Sequence, residues 1–202
     1  MQEFVKILSI DPGVSNLGWA CSIYTPALDI LEVQKFGALK ASKIANKQKE
    51  LANVYGTRIL ALKEIEQHMS KLLRSFNPDF VCSEDAFFYI KSPTAYGALS
   101  MVIHTIERVM FLEYEQFHKT KETARTLYKF SPRNIKSIAT GNSLSLKENM
   151  LESLLDNENI KFKLKENEKV EDVVNMLNQH AVDAISCGFT FCHTALPGIL
   201  LG

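Results

Sequence analysis

Two short apolar runs that each end in an acidic residue constrain the fold more than any other feature of the chain. Residues 5–10 are apolar and rich in β-branched side chains, and Asp11-Pro12-Gly13 follows them, which is typical of a buried strand ending at a turn. Residues 80–83 form the second run, and Glu84 follows it directly. Because segments with helical spacing separate such runs, the sequence predicts a layered α/β domain.

The remaining segments complete this pattern. Further strands are predicted at residues 17–23, 31–37 and 126–130, and the first two of these are expected to form an antiparallel meander with residues 5–10. Helices are predicted over residues 42–76, 93–117, 147–155 and 171–194, with one more beginning at Pro132 after a Ser131 cap. Residues 156–171 form a polar excursion that contains one strand-like run at residues 160–164.

Length and composition indicate one domain with a sizeable core. The chain has 202 residues, of which 46% are hydrophobic and 23% charged, as in an ordinary globular protein. We therefore assign residues 1–202 to a single domain. Lys and Arg together number 23, as do Asp and Glu. A net charge of zero argues at first sight against a nucleic-acid binder. The charge is uneven, however, since residues 119–147 carry seven Lys and Arg against Glu122 alone.

Cysteine usage and the apolar runs indicate the compartment. Each of the four cysteines has hydrophobic neighbours, so we expect buried free thiols. Cys187, Cys192 and His193 have no second ligand pair at zinc-site spacing. The N-terminus lacks a signal-peptide pattern, and no apolar stretch approaches the roughly 20 residues of a membrane span. The sequence thus predicts a soluble protein without a membrane partner, in the cytoplasm or another reducing compartment.

Three acidic positions are candidates for chemistry. Asp11 and Glu84 each follow a strand, and Asp183 lies in an apolar helix three residues after His180. Carboxylates meeting at one sheet edge would repel one another and would need a hard divalent cation such as Mg²⁺. Taken singly, Asp11 also suits a turn, Glu84 a solvated strand end, and Asp183 with His180 a side-chain hydrogen bond.

Four ordered segments of the chain resemble the motifs of the RuvC family of Holliday-junction resolvases. The matching segments are residues 7–20 around Asp11, residues 81–87 around Glu84, residues 131–147 with their basic positions, and residues 180–184 with His180 and Asp183. The motifs occur in family order and cover nearly the whole chain.

This resemblance implies an RNase H-like fold with a five-stranded mixed sheet flanked by helices. It also implies a homodimer that resolves four-way DNA junctions by paired nicks, using two Mg²⁺ ions for which Mn²⁺ can substitute. Asp11, Glu84, His180 and Asp183 match the catalytic, metal-binding tetrad. The DNA-binding positions matched are Phe87, Arg133, Lys136 and Lys147. The basic run at residues 119–147 coincides with the DNA-contacting segment and is therefore interpreted as the phosphate-binding surface.

The sequence departs from the bacterial pattern at two loops, and an aromatic trio and one predicted helix each have a second interpretation. The loops at residues 118–125 and 156–171 look longer than in the bacterial enzymes, which resembles viral or organellar branches of the family. The trio Phe87-Phe88-Tyr89 also suits a hydrophobic core. The helix predicted at residues 93–117 carries more apolar surface than one sheet-facing side requires, which predicts dimerisation through that helix.

Three other functions are compatible with parts of the sequence. Sugar kinases and actin-like ATPases share an Asp-x-Gly opening, but they need a second Gly-rich phosphate loop, and no such loop follows Glu84. A junction-binding module without catalysis is disfavoured by the presence of all four tetrad residues. A nuclease acting more broadly on flaps, forks and replication intermediates has the same motifs and stays open.

Overall fold

The computed structural model describes residues 3–87, 93–117, 126–164 and 169–201. The strands, in chain order, are β1 (Val5–Asp11), β2 (Leu17–Thr25), β3 (Ile30–Leu39), β4 (Phe80–Glu84), β5 (Leu127–Phe130) and β6 (Ile160–Phe162). The helices are α1 (Ala41–Lys47), α2 (Lys49–Tyr55), α3 (Thr57–Phe76), α4 (Pro93–Phe117), α5 (Pro132–Thr140), α6 (Lys147–Asp156), α7 (Val170–Met176) and α8 (Gln179–Leu201).

The strands form one mixed sheet in the order β5-β4-β1-β2-β3-β6. β1, β2 and β3 are an antiparallel meander, as predicted, and β4 runs parallel to β1 with β5 parallel to β4. The sheet has six strands rather than the five expected. The sixth is β6, which lies within the polar excursion and pairs in parallel with β3. Its three residues and exposed Lys161 suit an edge strand, which is short and charged in many proteins.

Helices cover both faces of the sheet and divide the core in two. α8, α5 and α6 pack on one face against residues such as Ile7, whereas α1, α3 and α4 pack on the other against Leu8. Successive side chains of a strand point to opposite faces, so β1 contributes Val5 and Ile7 to one core and Leu8 and Ile10 to the other. This central position fixes where the end of β1, and therefore Asp11, lies.

Two long predicted helices are each interrupted. The segment at residues 42–76 forms α1, α2 and α3, with breaks at Gln48 and at Gly56, where φ is +82°. The segment at residues 171–194 forms α7 and α8, because Leu177 is extended. The Asn178 side chain accepts a hydrogen bond from the backbone N–H of Ala181 over 3.1 Å, which caps the start of α8. The break between α7 and α8 thus determines where α8 begins, and it places His180 and Asp183 in the first turns of that helix.

α8 is the central helix of its layer. Every residue from Ala181 to Cys192 is buried except Asp183. Within the described ranges α8 alone is long and apolar enough, by length and composition, to cross a membrane, which corrects the expectation that no stretch approaches that length. Of its most apolar 18-residue window, 56% is buried inside the molecule, so packing on the sheet accounts for the composition. The prediction of free, buried cysteines is confirmed for all four.

Candidate active site

The ends of two parallel strands and the first turn of α8 meet at one edge of the sheet. Asp11 ends β1, Glu84 ends β4, and His180 lies beside β2 at Gly18. A Cβ atom placed on Gly18 would overlap the carbonyl oxygen of His180. Only a residue without a side chain therefore allows the start of α8 to lie this close to the sheet, and this close approach brings His180 to Asp11.

Hydrogen bonds fix two of the acidic side chains. The Nδ1 atom of His180 lies 2.7 Å from the Oδ2 atom of Asp11, although 169 positions separate the two residues in the chain. The Asp11 carboxylate is largely buried, and the imidazole is partly exposed. Asp183 lies one turn after Gln179 in α8, and the Gln179 side-chain amide donates a hydrogen bond to the Oδ1 atom of Asp183 over 2.9 Å. Neighbouring polar groups thus hold Asp11, His180 and Asp183, three of the four tetrad positions predicted from the sequence, in defined orientations.

A pocket of about 280 Å³ opens at this sheet edge. Its lining residues come from five secondary-structure elements and two loops and are Asp11, Pro12, Glu84, Phe87, Pro132, Ile135, Lys136, Met150, His180 and Asp183. Five groups that carry or can carry charge therefore face one small volume, and they are three carboxylates, the Lys136 ammonium and the His180 imidazole. Pro132, Ile135 and Met150 supply an apolar wall from α5 and α6.

The predicted DNA-binding residues are placed differently from one another. Lys136 and Phe87 line the pocket, and 47% of Phe87 is exposed, so this ring is not part of the core. Arg133 is exposed on the first turn of α5 and does not line the pocket. Lys147 is the first residue of α6, but its side chain lies outside the described residues, as do Phe88, Tyr89 and the loop at residues 118–125.

The side chains that line the pocket are of the types that bind divalent cations, but their positions are not those of a formed cation site. Carboxylate oxygens with one imidazole are ligands that Mg²⁺ or Mn²⁺ accepts. In the part of the chain that the structure describes, no three His, Cys, Asp or Glu side chains converge as an ion would require. Asp11 instead contacts His180, and Asp183 contacts Gln179. Ligation would therefore require these two hydrogen bonds to rearrange.

Comparison with known proteins gives both a sequence relative and a fold. No protein-family model matches the chain. A crossover junction endodeoxyribonuclease RuvC of Alkaliphilus metalliredigens is 27% identical over 172 residues, which span 85% of this chain and 87% of the relative. The structure of T. thermophilus RuvC in complex with a Holliday junction substrate superposes with a TM-score of 0.66 at 19% identity, covering 96% of each chain. The chain is similar to RuvC resolvases in sequence and in fold.

Resolvases from other sources share the fold of this chain. The yeast mitochondrial Holliday junction resolvase superposes with a TM-score of 0.58 at 12% identity, over 92% of this chain and 77% of the other. Fowlpox virus resolvase, solved with Holliday junction DNA, superposes with a TM-score of 0.55 at 16% identity, over 93% of this chain and 99% of the other. The RNase H-like α/β fold is thereby confirmed, while bacterial, mitochondrial and viral proteins all match and the branch is not resolved.

Several residues of the site were not identified from the sequence. Gln179 donates a hydrogen bond to Asp183. The two residues are four positions apart, and this spacing in a predicted helix could have indicated the contact. Ile135 and Met150 form the apolar wall and have no sequence feature that separates them from ordinary core residues. Cys187 lies one turn beyond Asp183, and its burial, the neighbouring Cys82 thiol and the charges of Glu84 and Asp11 all hold its pKa well above the usual value.

Proposed function

We propose that this chain is a divalent-metal-dependent endodeoxyribonuclease that resolves four-way DNA junctions. The observation that carries the proposal is that Asp11, Glu84, His180 and Asp183 line one pocket, together with Lys136. These four groups come from three distant parts of the chain, and the fold brings them to one sheet edge. Similarity in sequence and fold to RuvC crossover junction endodeoxyribonucleases supports the same reaction class. Single-domain organisation over residues 1–202 is part of this proposal.

Asp11, Glu84, His180 and Asp183 are the residues that would hold the metal. When bound, a pair of Mg²⁺ or Mn²⁺ ions supplies an activated water and stabilises the oxygen that leaves from the cleaved phosphodiester. Asp11 ends the central strand at the pocket, where its carboxylate oxygens would be metal ligands. His180, held against Asp11, would orient the water or complete the ligand set.

The remaining pocket residues would recognise DNA. Lys136 places a cation at the pocket, where it would attract the phosphate next to the cleaved bond, and Arg133 and Lys147 extend the same basic segment. The half-exposed ring of Phe87 would stack on a base freed at the branch, an interaction worth roughly 1–3 kcal/mol. Both roles use side chains that already face the pocket opening.

A homodimer is also proposed, on a smaller surface than the sequence suggested. Val102, Ile106, Val109 and Met110 of α4 are buried in this chain's own core, so most of the apolar surface of the helix is not available to a partner. Exposed apolar residues remain on α4 and on the segment from α2 into α3, and they are Tyr96, Met101, Phe111, Leu51, Val54, Tyr55 and Ile59. Sedimentation that finds only a 22.8 kDa species would contradict dimerisation.

A catalytically inactive junction-binding module is the second candidate. The observation favouring it is that the carboxylates are engaged by His180 and Gln179 rather than gathered at one point. Both candidates would bind branched DNA, and they differ in whether they cleave it.

Incubation with labelled DNA separates these functions. The substrates are a four-way junction, a fork, a flap and a linear duplex, each with Mg²⁺, with Mn²⁺ and with EDTA. The proposal predicts paired, symmetric nicks in the junction with either metal and none with EDTA. Cleavage of forks and flaps at the same rate would favour the broader branched-DNA nuclease. Tight junction binding without cleavage in either metal would favour the binding module, and absence of binding would contradict both.

A further inference from the structure

Two leucines stand in solvent on the loop that joins α5 to α6. Leu144 is 77% exposed and Leu146 is 66% exposed. Ile138, on the last turns of α5, is also exposed. Large aliphatic side chains in a short polar loop gain nothing from this position in the isolated protein, because their apolar surface stays in water.

The exposure of these leucines does not come from a loosely held loop. The hydroxyl groups of Thr140 and Ser145 lie 2.6 Å apart, and Ser145 is buried. The Asn142 side chain accepts a hydrogen bond from the backbone N–H of Leu144 over 3.0 Å, while the Ser145 N–H donates to the Asn142 carbonyl over 3.1 Å. The loop is therefore fixed from inside, and it presents both leucines outward in a set position.

The surroundings of the loop indicate what would cover it. Leu146 precedes the pocket-lining Met150 by one helical turn, about 6 Å along α6. Residues 131–147 contain Arg133, Lys136 and Lys147 and no acidic residue. Exposed leucines beside basic residues match a partner that has both apolar surfaces and negative charge. Nucleic acid has both, because its bases have apolar faces and its backbone carries phosphates.

We propose that Leu144 and Leu146 are an apolar wedge that packs against bases unstacked at the branch point of the DNA. This inference rests on the proposed junction-binding function and adds a specificity determinant to it. Apolar side chains inserted between base steps need bases that are already partly unstacked, or they must unstack them at a cost. A branch point offers such bases, whereas an intact duplex does not, so the wedge favours branched DNA over linear DNA.

The test compares a double variant with a matched control. Leu144→Ala/Leu146→Ala removes the wedge, and Leu28→Ala removes a leucine that is also 66% exposed but lies at the β2–β3 turn. Dissociation constants are measured for a four-way junction and for a linear duplex of the same sequence. We expect junction binding to weaken on the order of tenfold in the double variant, with duplex binding and its salt dependence unchanged. The control should bind both DNAs as the wild type does.

A second readout reports on the bases themselves. With 2-aminopurine at the branch point, wild-type protein should raise the fluorescence of that base more than the double variant does. Unchanged junction affinity in the double variant, or an equal loss for junction and duplex, would overturn the wedge. Loss of dimerisation in the double variant would assign the leucines to a contact between copies and overturn it as well. A wild-type protein that does not bind junctions would instead contradict the proposed function.

Discussion

Gly18 shows how a single position sets the geometry of the site. Its missing side chain leaves room for the backbone of His180, and the imidazole then reaches the carboxylate of Asp11. The residue forms the last pair of the β1–β2 ladder, opposite Asp11 on β1. A strand glycine of this kind marks the close approach of another backbone segment.

Gly18→Ala is therefore expected to destabilise the fold by about 3 kcal/mol, at the upper end of the cost of overpacking, because α8 must move away from β2. Cleavage should fall with it, since His180 moves together with the helix. Gly97→Ala is the control, because among the described residues no atom outside its own helical turn lies within 4 Å of its added Cβ. In that helix the change should stabilise the protein by about 0.5–1 kcal/mol. Urea unfolding measures both effects, and equal stability of the two variants would contradict this explanation.

Cys21 gives a pH-dependent prediction. Burial raises the pKa of its thiol from 9.0 to about 12, and the nearby charge of Lys35 lowers that pKa only partly. The native thiol should therefore stay protonated and resist iodoacetamide at pH 9, while the unfolded protein reacts. Because the folded pKa is raised, the free energy of unfolding should be constant below pH 9 and fall as the pH rises toward 12. Cys21→Ala should flatten this decline, and rapid alkylation of native Cys21 would contradict the assignment.

The residues that the sequence could predict are those whose position follows from an element boundary. Asp11 and Glu84 end apolar strands, and the ends of neighbouring parallel strands lie together. His180 and Asp183 lie in a helix whose start depends on Asn178 and whose approach depends on Gly18, so pattern alone did not place them at the same edge. Their assignment came from the motif resemblance. Gln179 and Met150 required the three-dimensional structure.

At the scale of elements, α5 links the basic segment to the pocket. Ser131 precedes the helix, and its hydroxyl accepts a hydrogen bond from the Asn134 N–H over 3.2 Å, with Pro132 at the first helical position. This cap was predicted from the sequence and is confirmed. It orients the turn that carries Pro132 and Ile135 to the pocket wall.

Ser131→Ala should lower the free energy of unfolding by about 1 kcal/mol, the usual cost of losing a cap of this type. Ser137→Ala, on the exposed face of the same helix, should change it by less than about 0.5 kcal/mol. Thermal or urea unfolding of both variants measures the difference. A loss in Ser137→Ala as large as that in Ser131→Ala would show that the cap is not the cause.

Strands were predictable from the sequence and helix boundaries less so. Each of the first five strands coincides with an apolar or aromatic run in the sequence, which favours a strand. β6 has only three paired residues, too few to separate an edge strand from a loop before pairing with β3 is known. The breaks at Gln48 and Leu177 depend on local backbone angles rather than on a Pro or Gly, so helical spacing continued through them.

At the scale of the whole molecule, a net charge of zero conceals a separation of charge. Part of the basic segment is already neutralised, because Lys129 lies 2.9 Å from Glu107, and this hydrogen bond raises the pKa of Lys129. Lys136 remains at the pocket and Arg133 on the exposed side of α5. These two side chains are therefore more promising phosphate ligands than Lys129.

Binding to a four-way junction should consequently weaken steeply with salt. Each phosphate contact contributes a slope of about 0.9 to the plot of log affinity against log salt concentration. Lys136→Ala should reduce that slope by about 1, whereas Lys161→Ala, at the β6 edge of the sheet, should leave it unchanged. Fluorescence anisotropy over a range of NaCl concentrations measures both slopes. Equal slopes for the two variants would place the DNA elsewhere on the surface.

The most direct measurement is cleavage and binding of a four-way junction by Asp11→Asn beside the wild type in Mg²⁺. Asn has nearly the same size and keeps an oxygen for the contact with His180, so the fold should be retained while the negative charge is lost. The account predicts that cleavage falls by at least about a thousandfold, because activation of the water depends on the metal. Junction affinity should stay close to that of the wild type. Cleavage by Asp11→Asn at the wild-type rate would contradict the assignment of this pocket as the active site.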